Sequence, residues 1–451
     1  MNRCRSLLGF ICLLFIFACQ ANGPVSRPSA VERTDASASA SVQIPATPNQ
    51  DPKSANSTPQ SIPQTPQSTP PPPHQDAKSH QGQITGSFTS GLNIAWITFA
   101  ADIGTGHPDL EALRTQFALL AGAGGTLARL WLHTDGTVTP EFTDNLVTSP
   151  GTYAIADLSK ILDLAQSEGV RLMPTLWSFD MVRSELKKTS PGVVLRNHLL
   201  LTDSDATTAY LDKALTPMVN AVKNHPALYA WDIVNESEGM TATENWGQVA
   251  PADRITHLQI QTFINRVAGR IHKIAPKNLV TSGAVSFKYL SQRAGLDNFY
   301  SDAGLISAGG DPLGTLDFYE VHHYNQMGKE YSPFLHDVSY FAVDKPVLVG
   351  EFAMQEYLEH GVTAPRLLYA KLQANGYIGA LGWKDGRMPA LNLMLNSIIY
   401  LQFPADLGGD PLLCAHFAGG FGTPFYDGQT LYRMQTAASD QSDKRQRCIV
   451  E

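Results

Sequence analysis

Basic residues are scarce in this 451-residue chain, and they form no cluster. The sequence has 33 Lys and Arg against 41 Asp and Glu, which gives a formal net charge of −8. A protein that binds nucleic acid usually carries a basic patch interleaved with aromatic side chains. The sequence contains no such patch, so we expect no nucleic-acid partner.

Several motifs of metal, acyl-transfer and nucleotide chemistry are also missing. The sequence has neither the His-Glu-x-x-His nor the Cys-x-x-Cys spacing of a metal site, and no Gly-x-Ser-x-Gly turn for a serine nucleophile. After the first apolar strand, Gly104 and Gly106 lack the third glycine of a dinucleotide-binding loop. The sequence therefore predicts an active site that uses no metal ion and no cofactor.

The first 18 residues are typical of an export signal. Arg3 and Arg5 precede an apolar run over residues 7–18, which is too short to span a membrane stably. The run ends Ile-Phe-Ala before Cys19, which resembles the lipobox of bacterial lipoproteins. The resemblance implies cleavage before Cys19, lipidation of that cysteine, and a protein anchored to the bacterial cell envelope or cell surface. An ordinary secretory signal, cleaved a few residues later, is the alternative.

Residues 19–85 are rich in Pro, Ser, Thr and Gln and have almost no large apolar side chains. Such a segment buries too little apolar surface to offset the entropy of ordering it. We therefore predict a disordered tether between the anchor and one large domain.

Two of the five cysteines, Cys414 and Cys448, lie beyond the signal and the proposed lipid site. An even number of cysteines in an exported domain is typical of a disulfide. Two independent buried thiols are the other interpretation, and the sequence leaves the choice open.

Short apolar strands alternate with helical segments over residues 86–400. Near-continuous apolar strands separated by amphipathic helices are typical of a parallel sheet covered by helices. Helices are predicted over 108–120 and 155–168, and strands over 91–97, 127–132, 170–176, 228–234, 279–283, 316–324, 346–350 and 378–383. Eight such units favour an α/β fold of the (β/α)8 barrel (TIM barrel) type. Residues 401–451 are expected to form a C-terminal extension packed on the barrel.

Two glutamates, Glu236 and Glu351, lie at the ends of the fourth and seventh predicted strands. In a barrel of this kind the active site lies at the carboxyl ends of the strands. Retaining hydrolysis of a glycoside needs two carboxyl groups about 5 Å apart, one protonated and one ionised. Taken alone, either glutamate is better explained as the end of a buried strand; the polar and aromatic residues at the other strand ends favour catalysis.

The chain resembles the clan A glycoside hydrolases, and most of all family 5, the cellulase and β-mannanase family. The resemblance covers essentially residues 88–400. It implies that Glu236 is the general acid/base and Glu351 the nucleophile. Other positions that match the family's site are Arg129, Asn235, His322, Tyr324 and Trp383.

Each matched position has a chemical task. Donors on Arg129 and Tyr324 are expected to keep the pKa of Glu351 low enough for its carboxylate to be an anion at neutral pH. The flat face of Trp383 suits a pyranose ring, and four other tryptophans are candidates to extend that surface, namely Trp96, Trp131, Trp177 and Trp246.

Two of these residues also have ordinary explanations. Arg129 alone is better explained by pairing with a core carboxylate. His322 and His323 are adjacent on a strand and therefore point to opposite faces, so one of them is expected to pack against a helix.

The residues at the end of the third predicted strand help to predict the substrate. Family 5 cellulases commonly carry a histidine there, and residues 174–180 contain none. We therefore predict a retaining endo-β-1,4-glycanase that acts on mannan first and β-glucan second, as a monomer whose partner is a polysaccharide or oligosaccharide. The alternatives are an exo-acting β-glycosidase or transglycosylase with the same two glutamates, and a catalytically silent glycan-binding lipoprotein.

Overall fold

The computed structural model describes residues 87–184, 190–244, 249–293, 295–383 and 388–402. The predictions for Cys19, for the tether, for Trp246 and for the Cys414 and Cys448 pair lie outside these residues. So does nearly all of the C-terminal extension. Among the described residues, no helix is both long and apolar enough to cross a membrane.

The strands of the described residues fall into one large parallel sheet and one small hairpin. The sheet contains β1 (Thr89–Ala95), β2 (Leu127–Thr134), β5 (Arg171–Ser178), β6 (Ala230–Asn235), β7 (Leu279–Thr281), β8 (Gly283–Ala284), β9 (Tyr319–His323), β10 (Val347–Phe352) and β11 (Gly379–Trp383). The antiparallel hairpin consists of β3 (Glu141–Thr143) and β4 (Leu146–Ser149).

The order of the large sheet is β7-β6-β5-β2-β1-β11-β10-β9-β8, with every neighbouring pair parallel. The two ends of this order, β7 and β8, are consecutive pieces of one segment, separated only by Ser282. The sheet therefore closes on itself, and the predicted fifth strand is split into two short pieces. The predicted (β/α)8 barrel is confirmed.

Helices cover the outside of the barrel. The α-helices of the described residues are α1 (Leu110–Gly122), α2 (Ala154–Ser167), α3 (Pro191–Thr202), α4 (Ser204–Tyr210), α5 (Thr216–Val222), α6 (His257–Ile274), α7 (Asp302–Gly309), α8 (Leu368–Ala374) and α9 (Met388–Gln402). A π-helical turn, Leu211–Leu215, joins α4 to α5. Single 3-10 turns span Phe179–Val182, Ser237–Met240, Pro251–Asp253, Phe287–Tyr289, Asn325–Met327, Lys329–Tyr331, Val338–Phe341, Met354–Glu356 and Pro365–Leu367.

Local sequence explains where these helices begin and end. The Asp109 side chain caps α1 by accepting a hydrogen bond from the amide of Ala112 at 2.9 Å, so the helix begins just after the predicted Pro108. Helix α2 ends before Gly169, whose φ of +74° is the left-handed conformation that glycine adopts without strain. Helix α6 begins at a capping box formed by Thr256 and Gln259.

The interior of the barrel is layered along its axis. An apolar layer fills its amino-terminal end and consists of Leu127, Met173, Tyr229, Ala230, Leu279, Phe318, Leu348 and Leu381. Because strand side chains alternate between two faces, the next inward positions of the same strands lie one layer higher. That next layer is polar, with Arg129, Asp232 and Glu320 all fully buried.

Candidate active site

Glu236 follows β6 directly and lies in an unusual backbone conformation. Its φ and ψ are 49° and 47°, a left-handed geometry that is uncommon for any residue except glycine. The amide of Glu236 donates a 2.8 Å hydrogen bond to the carbonyl of Gly283, which ties this turn to β8. Local backbone strain of this kind clusters at functional sites. The side chain is 8% exposed.

Glu351 lies in β10, beside an irregularity in the pairing of β10 with β9. The register shifts between Val349 and Glu351, and such a shift reorients the side chains that follow it. One carboxylate oxygen of Glu351 accepts a 2.7 Å hydrogen bond from Arg129 Nη1, and the other accepts a 2.9 Å bond from Tyr324 Oη. Both donors that the sequence suggested for Glu351 are thus in contact with it.

His322 lies between the two glutamates. Its Nδ1 is 2.9 Å from Glu236 Oε1 and 3.6 Å from Glu351 Oε1, and its ring is fully buried. One ligating atom of each of these three side chains lies within 4.8 Å of the others. Histidine and carboxylate are also metal-ligand types, but the guanidinium of Arg129, which binds Glu351, already places a fixed cation there.

His323, the neighbour of His322, faces the other side of β9. Its ring packs 6.4 Å from Phe334 and 5.5 Å from His360, measured between ring centroids. Burial lowers the pKa of His323 to about 3, so this imidazole is neutral at ordinary pH. The two histidines face opposite sides of the strand as expected, but His323 packs against turn residues and not against a helix.

Arg129 is the centre of a buried network that reaches four strands besides its own. Its guanidinium donates to Asp232 Oδ2 at 2.7 and 3.0 Å, to Asn235 Oδ1 at 2.9 Å and to Asn93 Oδ1 at 3.1 Å. Its Nε also lies 3.0 Å from Glu320 Oε1. Arg129 thus pairs with core carboxylates and with Glu351 at once, so the two explanations from the sequence both apply. A buried cation needs such partners, because its desolvation is costly.

Sequence reasoning missed Asn93, Asp232 and Glu320 as parts of this site. Each is inward-facing and fully or almost fully buried: their exposed fractions are 1%, 0% and 0%. The signal was present in the strand periodicity, since Asp232 and Glu320 fall on the inward-facing positions of strands whose outward residues are mostly apolar. Only their distances from Arg129 reveal which charge they compensate.

The pKa of Glu351 differs from the expectation. Burial raises the pKa of Glu351 above its ordinary value, and the charge of Glu236 adds to this effect. The cation on His322, the guanidinium of Arg129 and the hydrogen bond from Tyr324 act in the opposite direction without cancelling it. The prediction of a low pKa was wrong because it counted the donors and left out the cost of desolvating the carboxylate.

Three tryptophans form an aromatic surface at the same end of the barrel. Trp96, Trp131 and Trp383 have ring centroids 4.9 to 6.0 Å apart. Phe99, 43% exposed, continues the group with its ring 5.0 Å from Trp96. Trp96 and Trp383 are partly exposed, whereas Trp131 is buried beneath them. The expected platform therefore centres on Trp96 and Trp383.

Trp177 does not lie on this surface. Its side chain is fully buried, with its ring 4.8 Å from His133 and 5.7 Å from Tyr210. Its assignment as a substrate-binding residue is therefore not supported by its position. The indole packs against Tyr210 of α4 instead of facing the mouth of the barrel. A position at the end of a strand does not by itself show which way the side chain points.

A model of the family described as Cellulase (glycosyl hydrolase family 5) matches residues 114–386, a segment that contains Arg129 and both glutamates. The chain is similar to a mannan endo-1,4-beta-mannosidase of Mytilus edulis, with 33% identity over 345 residues that cover 71% of this chain and 89% of that protein. It is also similar to a mannan endo-1,4-beta-mannosidase of Cryptopygus antarcticus, with 34% identity over 322 residues, or 66% of this chain and 80% of that protein.

Solved structures give the same picture. The structure of a beta-1,4-mannanase from the sea hare Aplysia kurodai matches with a TM-score of 0.63 and 30% identity, over 72% of this chain and 95% of that one. The X-ray structure of the beta-mannanase from the blue mussel Mytilus edulis matches with a TM-score of 0.61 and 29% identity, over 70% and 92%. The likeness to these two structures thus covers about 70% of this chain.

Proposed function

The chain belongs to glycosyl hydrolase family 5 and is a glycosidase, and on that premise we propose that it cleaves β-1,4-linked mannan within the polymer, with retention of configuration. The observation that carries this proposal is the placement of Glu236 and Glu351 at one mouth of the barrel. Carboxylate oxygens of the two residues lie within 4.8 Å of each other. Retaining glycosidases hold their two carboxyl groups about 5 to 5.5 Å apart, whereas inverting enzymes leave about 6.5 to 9.5 Å for a water molecule.

The surroundings of the glutamates support a division of roles. Glu351 accepts hydrogen bonds from Arg129 and Tyr324 on its two oxygens, as an attacking carboxylate requires for orientation. Glu236 has no cationic side chain except His322 within hydrogen-bonding distance among the described residues. We therefore assign nucleophilic attack on the anomeric carbon to Glu351 and proton transfer to Glu236.

The reaction then has two steps. In the first, Glu351 bonds to the anomeric carbon while the glycosidic C–O bond breaks and Glu236 gives its proton to the leaving oxygen. In the second, ionised Glu236 takes a proton from water, and the resulting oxygen nucleophile displaces Glu351 from the sugar. No step needs a metal ion or an organic cofactor.

Mannan is the proposed polymer for two reasons. Two relatives that are 33% and 34% identical to this chain are named as mannan endo-1,4-beta-mannosidases. In addition, β5 ends in Ser178, followed by Phe179 and Asp180, without the histidine common in family 5 cellulases. Asp180 is itself buried and paired with Arg183 at 2.7 Å.

Incubation with mannan, mixed-linkage β-glucan, carboxymethyl-cellulose and xylan, followed by sizing of the products, tests this proposal. We expect mannan to be cleaved fastest and to give a range of oligosaccharides early in the reaction, because an endo-acting enzyme cuts inside the chain. Release of mannose alone from the start would contradict endo action. Faster cleavage of either glucan would contradict the proposed substrate.

We further propose that the enzyme is exported and anchored to the cell envelope through a lipid on Cys19. The support is the basic and apolar sequence before Cys19 and the Pro-rich segment after it. In a bacterial host, metabolic labelling with a palmitate analogue is expected to mark the wild-type protein, and Cys19→Ala is expected to abolish both labelling and membrane retention. Cys12→Ala, which changes a cysteine inside the signal, is the matched control. Unlabelled wild-type protein in the medium would contradict the anchor.

A further inference from the structure

Glu320 is a buried charged residue that has no role in the two reaction steps described above. It lies in β9, two residues before His322, and is completely buried. Its Oε1 lies 3.0 Å from Arg129 Nε and 3.5 Å from His322 Nε2. Its Oε2 has no hydrogen-bond partner among the described residues. Burying a carboxylate with so few partners costs free energy of folding. We therefore looked for a role of Glu320 beyond packing.

Two glycines make room for the contact between Glu320 and His322. A Cβ atom built on Gly350, the residue before Glu351, would lie only 2.3 Å from Glu320 Oε1. A Cβ atom built on Gly283 would lie 3.0 Å from His322 Nε2. Larger residues at either position would displace the carboxylate or the imidazole. The two glycines of the neighbouring strands therefore leave the space in which Glu320 and His322 contact each other.

We propose that Glu320 is a positioning residue that keeps His322 doubly protonated, so that one fixed imidazolium charge stabilises Glu351 before attack and Glu236 after it. This inference rests on the proposed function, because it uses the two roles assigned to the glutamates.

The geometry carries this inference. Nε2 needs a proton to donate to Glu320, and Nδ1 needs a proton to face ionised Glu351 before attack and ionised Glu236 after it, so both nitrogens act as donors. Before attack, the negative charge is on Glu351, 3.6 Å from Nδ1. After attack Glu351 is an ester, and Glu236 has given its proton away and carries the charge 2.9 Å from the same nitrogen.

The imidazolium does not need to move or to lose a proton during this exchange. The negative charge passes from one glutamate to the other, while His322 keeps both of its protons throughout. A charge that is already in place stabilises the transition state without reorganisation, which is the usual source of electrostatic catalysis. Glu320 supplies the permanent counter-charge on the far side of the ring.

The other charges around His322 agree with a cationic ring. The titratable groups that contact His322 are Glu236 after β6, Glu320 on β9 and Glu351 on β10. Arg129, Asp232 and Tyr324 belong to the same buried network, through bonds to one another and to Glu351. Burial alone would lower the pKa of His322. The charge of Glu351 and the hydrogen bonds to Glu236 and Glu320 outweigh burial and raise the pKa of His322 to about 10.

Glu320→Gln tests the proposal, because Gln keeps the size and the acceptor oxygen but removes the charge. Loss of that charge favours neutral His322 and is expected to lower the pKa of His322 by about one unit, so kcat/KM is expected to fall more steeply than in wild type along the basic limb, above about pH 8. At about pH 5.5, where even an unassisted imidazole is protonated, the variant is expected to retain kcat/KM within about threefold of wild type. The pH profile should be measured with mannan, or with the best polymer of the substrate panel.

Two further variants separate charge from shape. Glu320→Asp keeps the charge on a shorter side chain, so its basic limb is expected to lie closer to that of wild type than the limb of Glu320→Gln. Asp232→Asn removes a carboxylate that also pairs with Arg129 but does not contact His322. Its basic limb is expected to move less than that of Glu320→Gln, even if its activity falls further. Thermal unfolding of all three variants checks that the fold is intact.

Nitrogen NMR of protein labelled in histidine reads the charge of His322 directly, with His322→Asn identifying its signal. At about pH 9 we expect mainly the imidazolium in wild type and about an equal neutral fraction in Glu320→Gln. A folded Glu320→Gln variant whose kcat/KM falls equally at all pH values, with the imidazolium retained, would overturn the proposal. So would an equal shift in Asp232→Asn. If wild type does not cleave mannan, the substrate assignment fails, and the NMR result still decides the role of Glu320.

Discussion

Glu351→Ala is expected to abolish turnover on every glycan substrate, by at least about 10⁴-fold in kcat. The variant has no carboxylate to attack the anomeric carbon, and Glu236 cannot replace it from the other side of the cleavage site. Added azide is expected to restore part of the activity on an activated aryl glycoside, because a small anion fits the vacated space. The rescued product is expected to have inverted configuration, which NMR of the anomeric proton measures.

Glu359→Ala is the matched control for this variant, since Glu359 lies eight residues after Glu351 and is exposed. It is expected to keep wild-type activity. A Glu351→Ala protein that folds and still cleaves polysaccharide would show that Glu351 is not the nucleophile. Azide rescue with retained configuration would contradict the assigned role as well.

Glu236→Ala is expected to give a different defect. Cleavage of polysaccharide should fall by several orders of magnitude, because its leaving oxygen needs a proton. An aryl glycoside with a good leaving group needs none, so glycosylation of Glu351 is expected to survive while hydrolysis of the intermediate becomes limiting. Rapid-mixing kinetics should then show a burst of released phenol and a low KM.

Azide distinguishes the two glutamates in the same experiment. In Glu236→Ala the anion attacks the glycosyl-enzyme, so the product is expected to keep the configuration of the substrate. If the two variants exchange these behaviours, the assigned roles are reversed. If both remain active on polysaccharide, neither glutamate is catalytic and the site lies elsewhere.

The barrel could be read from the sequence because each of its units is defined locally. Apolar strands of four to eight residues, helix caps such as Asp109 and helix-ending glycines such as Gly169 are determined by neighbouring residues. The closure of the barrel was less direct. The predicted fifth strand is two short pieces, β7 and β8, and only their pairing with β6 and β9 shows that the sheet is continuous around the axis.

The strand ends also made the two glutamates predictable. Parallel strands place their carboxyl ends on one side of the sheet, so Glu236 and Glu351 had to lie near the same mouth once the barrel was inferred. The distance between their oxygens did not follow from the sequence. It depends on the left-handed backbone at Glu236 and on the register shift before Glu351, which are features of pairing with neighbouring strands.

By itself, the sequence determined the eight-unit barrel, the position of the two glutamates at strand ends and the donors that reach Glu351. The tertiary structure alone decided that Trp177 is buried, that Asp232 and Glu320 surround Arg129, and that burial raises the pKa of Glu351. The physical reason is the range of the interactions. Strand and helix patterns arise from residues close in sequence, whereas desolvation and charge pairing depend on residues that are distant in the chain and meet only in the folded barrel.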